Sequence, residues 1–256
     1  MLSKKIVKYI QSLSLKKFRD AEGAFIAEGP KIVNEFLSEK ELKCILICAV
    51  KDWLNENGPL LEGHDISAIY EIDEHWLKSI SQLKTPNKVV AVFNKKDFDV
   101  AIFAGKISIL LDDLQDPGNL GTIIRIADWF AIENIICSDN SVDCYNPKVV
   151  QSSMGSLARV NVFYKDLQQF LLGNSAIKTY ATTLNGASIF NLPTVNEGFI
   201  LIGNESKGIH SSLLKLCTHQ ITIPRIGQAE SLNAAVATGI ILSQITKAAN
   251  VPKIKI

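Results

Sequence analysis

The stretch ISILLDDLQDPGNLGTIIRIADWF, residues 107–130, decides how the rest of the chain is read. A short apolar run ends in two acids, a turn of Asp-Pro-Gly-Asn follows, and an apolar helical pattern begins at once. That is one strand–turn–helix unit. Its oddity is Arg125, a permanent cation set between Ile124 and Ile126. The stretch therefore poses two questions: what sheet the strand joins, and why the helix carries a charge.

Working outward, the same alternation continues to the end of the chain. IENIICSD (132–139) reads as a strand, NPKVVQSSMGSLA as a helix, RVNVFY as a strand and DLQQFLLG as a helix. IKTYATT (177–183) and GFILIGNE (198–205) are strands, HSSLLKLC is helical, QITIPR (220–225) is the last strand and SLNAAVATGIILSQITKAAN the last helix. Nearly continuous apolar strands alternating with helices predict a parallel sheet covered on both faces. In such sheets ligands bind where strand C-termini meet the loops that follow. Three of these loops, DPGNLG (116–121), GNESKG (203–208) and PRIGQAESLN (224–233), are rich in Gly, Asn and Ser. Those residues let a backbone approach a ligand and offer short hydrogen-bonding groups.

Upstream the style changes. IVKYIQSL and GPKIVNEFLSEK look helical, while CILICAV, ISAIYEI and KVVAVFN look like strands. This predicts a small α/β domain over residues 1–95, a linker within NKKDFDVAIFAGK (94–106), and a second domain over 105–256. Residues 1–20 hold six basic side chains against Asp20 alone. A local basic patch can contact phosphates although the whole chain is only +1; a solvated helix face is the plain alternative.

Composition excludes several classes. At 256 residues, 47% hydrophobic and 21% charged, the chain has the make-up of a globular protein with a real core. No apolar stretch approaches the ~18 residues of a membrane span, and the opening residues lack the apolar core of a secretory signal. The five cysteines (Cys44, Cys48, Cys137, Cys144, Cys217) are odd in number and follow no CxxC pattern, as expected of reduced packing residues in a cytoplasmic protein. Neither G-x-G-x-x-G nor a P-loop nor G-x-S-x-G occurs, and the four histidines show no metal-ligand spacing. No metal is expected.

DPGNLGTIIR, LIGNESKGI and IPRIGQAESLNAAVATGIIL, in this order, closely resemble the three motifs of the SpoU/TrmH family of SPOUT RNA methyltransferases, over residues 107–250. KKFRDAEGAFIAEGPKIVNEFL resembles the substrate-binding domain that many members carry, itself similar to a ribosomal-protein RNA-binding fold. The resemblance implies a SPOUT α/β-knot catalytic domain, a parallel sheet threaded into a trefoil knot. It also implies S-adenosyl-L-methionine as cofactor, a homodimer, and methyl transfer to a ribose 2′-hydroxyl in RNA. By analogy 23S rRNA leads as substrate. A tRNA 2′-O-methyltransferase and a non-catalytic relative that binds structured RNA are the alternatives. A small-molecule α/β enzyme is disfavoured because residues 1–93 look like an RNA-recruiting module.

The same resemblance assigns residues. Arg125 matches the arginine that activates the hydroxyl or, since arginine keeps its proton to above pH ~12, fixes a neighbouring phosphate. Asn119 matches an organising asparagine and is also a good helix N-cap. Glu205 matches the motif-two glutamate, expected to hold the motif-one arginine or RNA. Ser231 and Asn233 match polar site residues, and Ser231 is the expected N-cap of the last helix. For the cofactor, Gly203, Ile223 and Leu232 match binding positions, and Thr182 and Thr183 border the expected pocket. Lys16, Lys17, Arg19 and Lys31 are the RNA-contact candidates, with Arg19 expected to pair with Glu28. Asn204 departs from the family, in which many relatives carry arginine there.

Overall fold

The computed structural model describes residues 2–96 and 103–246. Residues 97–102 of the expected linker, and the tail 247–256 with the end of the expected last helix, lie outside the described residues. Contacts divide the chain into two compact units. The first combines the N-terminal residues with two later segments, Leu120–Arg125 and Val142–Arg159; the second holds the remainder.

The N-terminal part of the first unit runs α1 (Lys4–Ser12), α2 (Lys16–Glu22), β1 (Ala24–Glu28), α3 (Pro30–Ser38), β2 (Cys44–Ala49), α4 (Lys51–Glu62), β3 (Ala68–Glu71), α5 (Glu74–Ile80) and β4 (Val89–Asn94). Its sheet has the order β1-β4-β2-β3, mixed in direction: β4 is antiparallel to β1 and β2, and β2 is parallel to β3. Ile10, Ile26, Cys48, Val90 and Val92 lie in one core cluster of this unit. The rings of Phe25, Phe36 and Phe93 meet 5.3–6.0 Å apart. Cys44 and Cys48 sit inside this core, and burial pushes both thiols up to about 12. All five cysteines are free.

The chain continues through β5 (Ile107–Leu111), α6 (Pro117–Trp129), β6 (Asn134–Cys137), α7 (Pro147–Ser153), β7 (Asn161–Tyr164), α8 (Leu167–Gly173), β8 (Thr179–Ser188), β9 (Gly198–Ile202), α9 (Ser211–Leu214), β10 (His219–Thr222) and α10 (Ala234–Ile245). The six strands pair in the order β10-β8-β9-β5-β6-β7, every neighbour parallel. The parallel sheet expected from the apolar runs is therefore present. The buried strand β9 shows why: it is sealed on both faces, so no residue of it need be polar. Leu110, Ile136, Ala181, Phe199 and Leu201 form the centre of this core with Leu167, Leu171 and Leu213.

Helix α6 starts and stops by side-chain chemistry. Asp116 caps it by accepting from the Asn119 N–H at 2.8 Å, and Pro117 takes the first helical position. At its end Ala131 adopts φ 54°, and the Ala131 and Ile132 N–H groups bond back to Asp128 and Ala127, which closes the last turn. Leu120, Ile123, Ile124 and Ala127 are buried, while Thr122, Arg125 and Trp129 form the outer stripe. Gly121 is required by packing: a Cβ there would lie 1.9 Å from Ser152 Oγ and 2.7 Å from the Val149 carbonyl.

Several elements differ from the sequence reading: it does not anticipate α2, β1, α4 and α5, and β10 stops at Thr222 rather than Arg225. NPKVVQSSMGSLA is not one helix but α7 followed by a short 3-10 turn at Ser156–Ala158. Met154 and Gly155 both take positive φ (53° and 96°), and a Cβ at Gly155 would come within 2.6 Å of Glu35 Cβ. Strand β8 runs five residues past the expected end at Thr183, with a register shift against β10 between Gln220 and Ile221.

Candidate functional site

All strands of the second sheet point one way, so the loops after β5, β9 and β10 leave from the same edge. β5 and β9 are neighbours at its centre, and their ladder extends beyond the strands through the Asp112 N–H to the Ile202 carbonyl at 2.9 Å. That register brings the loop of Asn119 beside the loop of Glu205. Asn119 Nδ2 donates to Glu205 Oε1 at 2.8 Å. Asn233 Nδ2 donates to Asn119 Oδ1, also at 2.8 Å. One residue from each of the three Gly/Asn/Ser-rich segments thus joins a single hydrogen-bonded chain, Asn233 to Asn119 to Glu205.

Both expected caps are corrected. Asn119 is not the N-cap of α6; Asp116 is, since it precedes Pro117 and accepts from the free Asn119 N–H, which leaves the Asn119 side-chain amide for the chain. Ser231 is not the N-cap of α10. Asn233 fills that place, its Oδ1 accepting from the Ala235 and Val236 N–H groups at 3.0 and 3.2 Å while its Nδ2 faces Asn119. Asn233 thus anchors a helix with one half of its amide and the site with the other. Ser231 is exposed.

Arg125 stands on the exposed stripe of α6, about 9 Å along the axis from Asn119 at 1.5 Å per residue. Among the described residues no ion pair holds it, and Glu205 bonds to Asn119; of the two partners expected of Glu205, the motif-one arginine and RNA, the arginine is not bonded to it here. A guanidinium without a protein partner retains five donors for a ligand.

The cofactor candidates fall around the same edge. Thr182 Oγ1 donates to the Leu201 carbonyl at 3.0 Å, and Thr183 Oγ1 is buried without a partner. Gly203 sits where a Cβ would meet the Gly208 and Ile209 backbone at 2.4–2.5 Å, so its bareness closes the loop. Ile223 is half-buried and Leu232 is exposed. Between them, residues 224–232 form no backbone–backbone hydrogen bond among the described residues, leaving a run of peptide groups to meet a ligand. An orphaned buried hydroxyl and a run without backbone–backbone bonds suit a nucleoside-bearing cofactor bound through backbone groups.

In the first unit the basic candidates separate. Arg19 is only 2% exposed. Its Nε and Nη2 donate to Asp143 Oδ2 at 3.0 and 2.6 Å, and its Nη1 to the Leu13 and Ser14 carbonyls. This corrects two expectations: Arg19 is not exposed for RNA, and its partner is Asp143 rather than Glu28. Glu28 instead accepts from Ser81 Oγ and from the Gln82 N–H at 2.8 Å, and burial pushes its carboxyl up despite those bonds. Lys16 remains exposed beside Asp20 at 2.7 Å, which raises its pKa, and Lys16 with Lys95 lowers Asp20 to about 2. Lys17 lies over the Phe18 ring at 4.8 Å, and Lys31 is exposed. Sequence reasoning missed Asp143, which lies in no motif, and noticed Asn204 only as a departure from the family without its bonds.

Comparison with known proteins bears on this arrangement. Residues 106–243 match the model of the SpoU rRNA Methylase family, and residues 4–91 match the MRM3-like substrate binding domain. The chain is 32% identical over 239 residues (92% of this chain, 94% of the relative) to the 23S rRNA (guanosine(2553)-2'-O)-methyltransferase of Bacillus subtilis. A structure from Porphyromonas gingivalis, assigned to the TrmH family of RNA methyltransferases, superposes with TM-score 0.83 at 34% identity, covering 96% of this chain and 98% of that one. An AdoMet-bound rRNA methyltransferase from Sinorhizobium meliloti gives TM-score 0.85 at 29% identity, with 96% and 95% covered.

Proposed function

We propose, from the premise that the chain belongs to the SpoU rRNA methylase family, that it methylates a ribose 2′-hydroxyl of 23S rRNA using S-adenosyl-L-methionine. The observation that carries this reading is the exposed chain from Asn233 through Asn119 to Glu205, which ties the three motif loops together at one sheet edge. The relative from Bacillus subtilis bears that activity in its name, and the Sinorhizobium meliloti neighbour holds the cofactor.

Thr183, Gly203, and the backbone from Ile223 to Leu232 would hold the cofactor, with Thr182 bordering it. When bound, it supplies a methyl group on a positively charged sulfur. The protein's share is alignment of the attacking oxygen and control of its proton. The part of Arg125 is to hold the phosphate beside the target ribose and to stabilise charge growing on the oxygen. Asn119 is fixed from both sides, by Asn233 and by Glu205, and fixes Glu205 in return. Glu205 is exposed, and its Oε2, without a partner among the described residues, is left for the substrate.

We assign residues 1–95 to RNA recruitment through Lys16, Lys17 and Lys31, and 105–256 to catalysis on a knotted SPOUT sheet. A homodimer is part of the proposal. Trp129, Leu184, Ile226, Leu232 and Val236 are large apolar side chains left exposed, Ile226 wholly and Trp129 by 85%, and such surface on one unit suits a partner copy. The working place is the cytoplasm, with ribosomes. No described helix is long and apolar enough to cross a membrane.

The test is methyl transfer from labelled S-adenosylmethionine to rRNA and tRNA from cells lacking this gene, with the product mapped. Label at one ribose of 23S rRNA is expected. Label in tRNA alone would replace the substrate, and cofactor binding with no label on any RNA or ribosomal subunit would leave a non-catalytic binder. Sedimentation at micromolar concentration checks the dimer, and a monomer there would reject it.

A further inference from the structure

Glu205 sits on an exposed loop, and among the described residues its side chain is held by one hydrogen bond, to Asn119. Something else must keep that loop in place. Its neighbour Asn204 uses its whole amide inside the protein. Nδ2 donates to the Asp113 carbonyl at 2.7 Å, and Oδ1 accepts from the Ser206 and Lys207 N–H groups at 2.9 and 3.0 Å. Its own N–H and carbonyl pair with the carbonyl and N–H of Gly208, both at 3.0 Å. The base of the loop is thus closed by backbone, and its interior is spanned by one side chain.

The far end of this tether is itself fixed. Asp113 adopts φ 55°, ends the line of β5, and donates its N–H to Ser138 Oγ at 2.8 Å after β6. Through Asn204 the Glu205 loop is therefore referenced to the ends of two other strands. No other short side chain does this. Aspartate has both acceptors but no donor, and would set a carboxylate against the Asp113 carbonyl; serine cannot span both directions.

We propose that Asn204 is a positioning residue, which holds the 204–208 loop so that Glu205 meets Asn119 and the substrate. The proposal rests on the methyl-transfer reading above. Asn204 need touch neither RNA nor cofactor; it acts through Glu205.

The test uses the full-length protein as wild type, Asn204→Ala, Asn204→Asp, Glu205→Gln and the Asn204→Ala/Glu205→Gln double variant. Single-turnover methyl transfer is expected to slow about tenfold in Asn204→Ala, since small misplacements of reacting groups are costly. Cofactor and RNA affinities should stay within about threefold, and Asn204→Asp, which keeps both acceptor bonds, should fall between. Because Asn204 works through Glu205, the double variant should be no slower than Glu205→Gln alone. Full activity in Asn204→Ala, or a double variant slowed by the product of the two single effects, would overturn the idea. Amide exchange at Ser206 and Lys207 is read in parallel: faster in Asn204→Ala but not in Asn204→Asp is the expected result, and no change in either rejects the lock. If Asn204→Ala does not fold, Asn204→Asp decides: rapid exchange at both amides counts against the proposal. Wild-type protein that methylates no RNA would sink the reaction reading instead, and the exchange result would still judge the loop.

Discussion

Arg19 and Arg125 have the same side chain and opposite settings. Arg19 is buried, with Asp143 and two carbonyls taking its donors; Arg125 is exposed on α6 with no ion-pair partner among the described residues. Glu28 and Glu205 repeat the contrast. Glu28 is enclosed and receives two donors from the residues after α5, whereas Glu205 is exposed and accepts from Asn119 alone among the described residues. The lesson is that a charge whose bonding capacity the protein itself fills is architecture. A charge held in place but left unfilled is available to a ligand.

Breaking the architectural pair should have the largest effect. Asp143→Ala leaves Arg19 buried without its counter-charge and should cost about 3–5 kcal/mol of stability; urea unfolding reads it. A loss below about 1 kcal/mol would mean that Arg19 can turn to water, and the contrast would fail.

Next comes Arg125→Ala. Methyl transfer should drop at least about a hundredfold, near 2.7 kcal/mol in barrier, with thermal stability and cofactor affinity nearly unchanged. Parallel loss of cofactor affinity would move Arg125 from the RNA side of the site to the cofactor side.

Gly121→Ala probes packing without charge. The new methyl would meet Ser152 Oγ at 1.9 Å, and overpacking of this kind costs about 1–3 kcal/mol. An unchanged unfolding midpoint would show that α7 can shift.

The smallest effect sharpens the contrast between the glutamates. Burial raises the Glu28 pKa above its ordinary 4.5, so its protonated form favours the folded state. That contribution is present below about pH 4.5 and is lost as pH rises through the raised value. Glu28→Gln should therefore match the wild type in acid and overtake it toward neutral pH, by less than about 1 kcal/mol. A difference that stays flat from pH 4 to 8 would place Glu28 with the solvent-facing charges.

The sequence made some of this legible and hid the rest for physical reasons. The parallel sheet could be read because β9, sealed on both faces, is an unbroken apolar run and β5 is interrupted only by Ser108, and the three loops could be read because Gly and Asn gather where chains must turn. Helix caps were harder. Ser231 and Asn233 are both good caps two residues apart, and only the positions of the Ala235 and Val236 N–H groups decide between them. Arg19 could not be assigned locally: its partner lies 124 residues away, in a segment that contacts group with the N-terminal residues. The Asn204 lock was equally hidden, since its value depends on the Asp113 carbonyl across 91 residues.

The exposure of Trp129 has a practical consequence. Of the three tryptophans, Trp53 is buried, Trp76 is half-buried and packed on the first unit's core, and only Trp129 stands in solvent. The long-wavelength, iodide-quenchable part of the intrinsic fluorescence therefore comes chiefly from one side chain, four residues beyond Arg125 on the same helix stripe. In the proposed homodimer, a partner copy that covers Trp129 would make dilution appear as a red shift and stronger quenching. Whatever covers that end of α6 can be followed optically, without a label and without knowing the RNA.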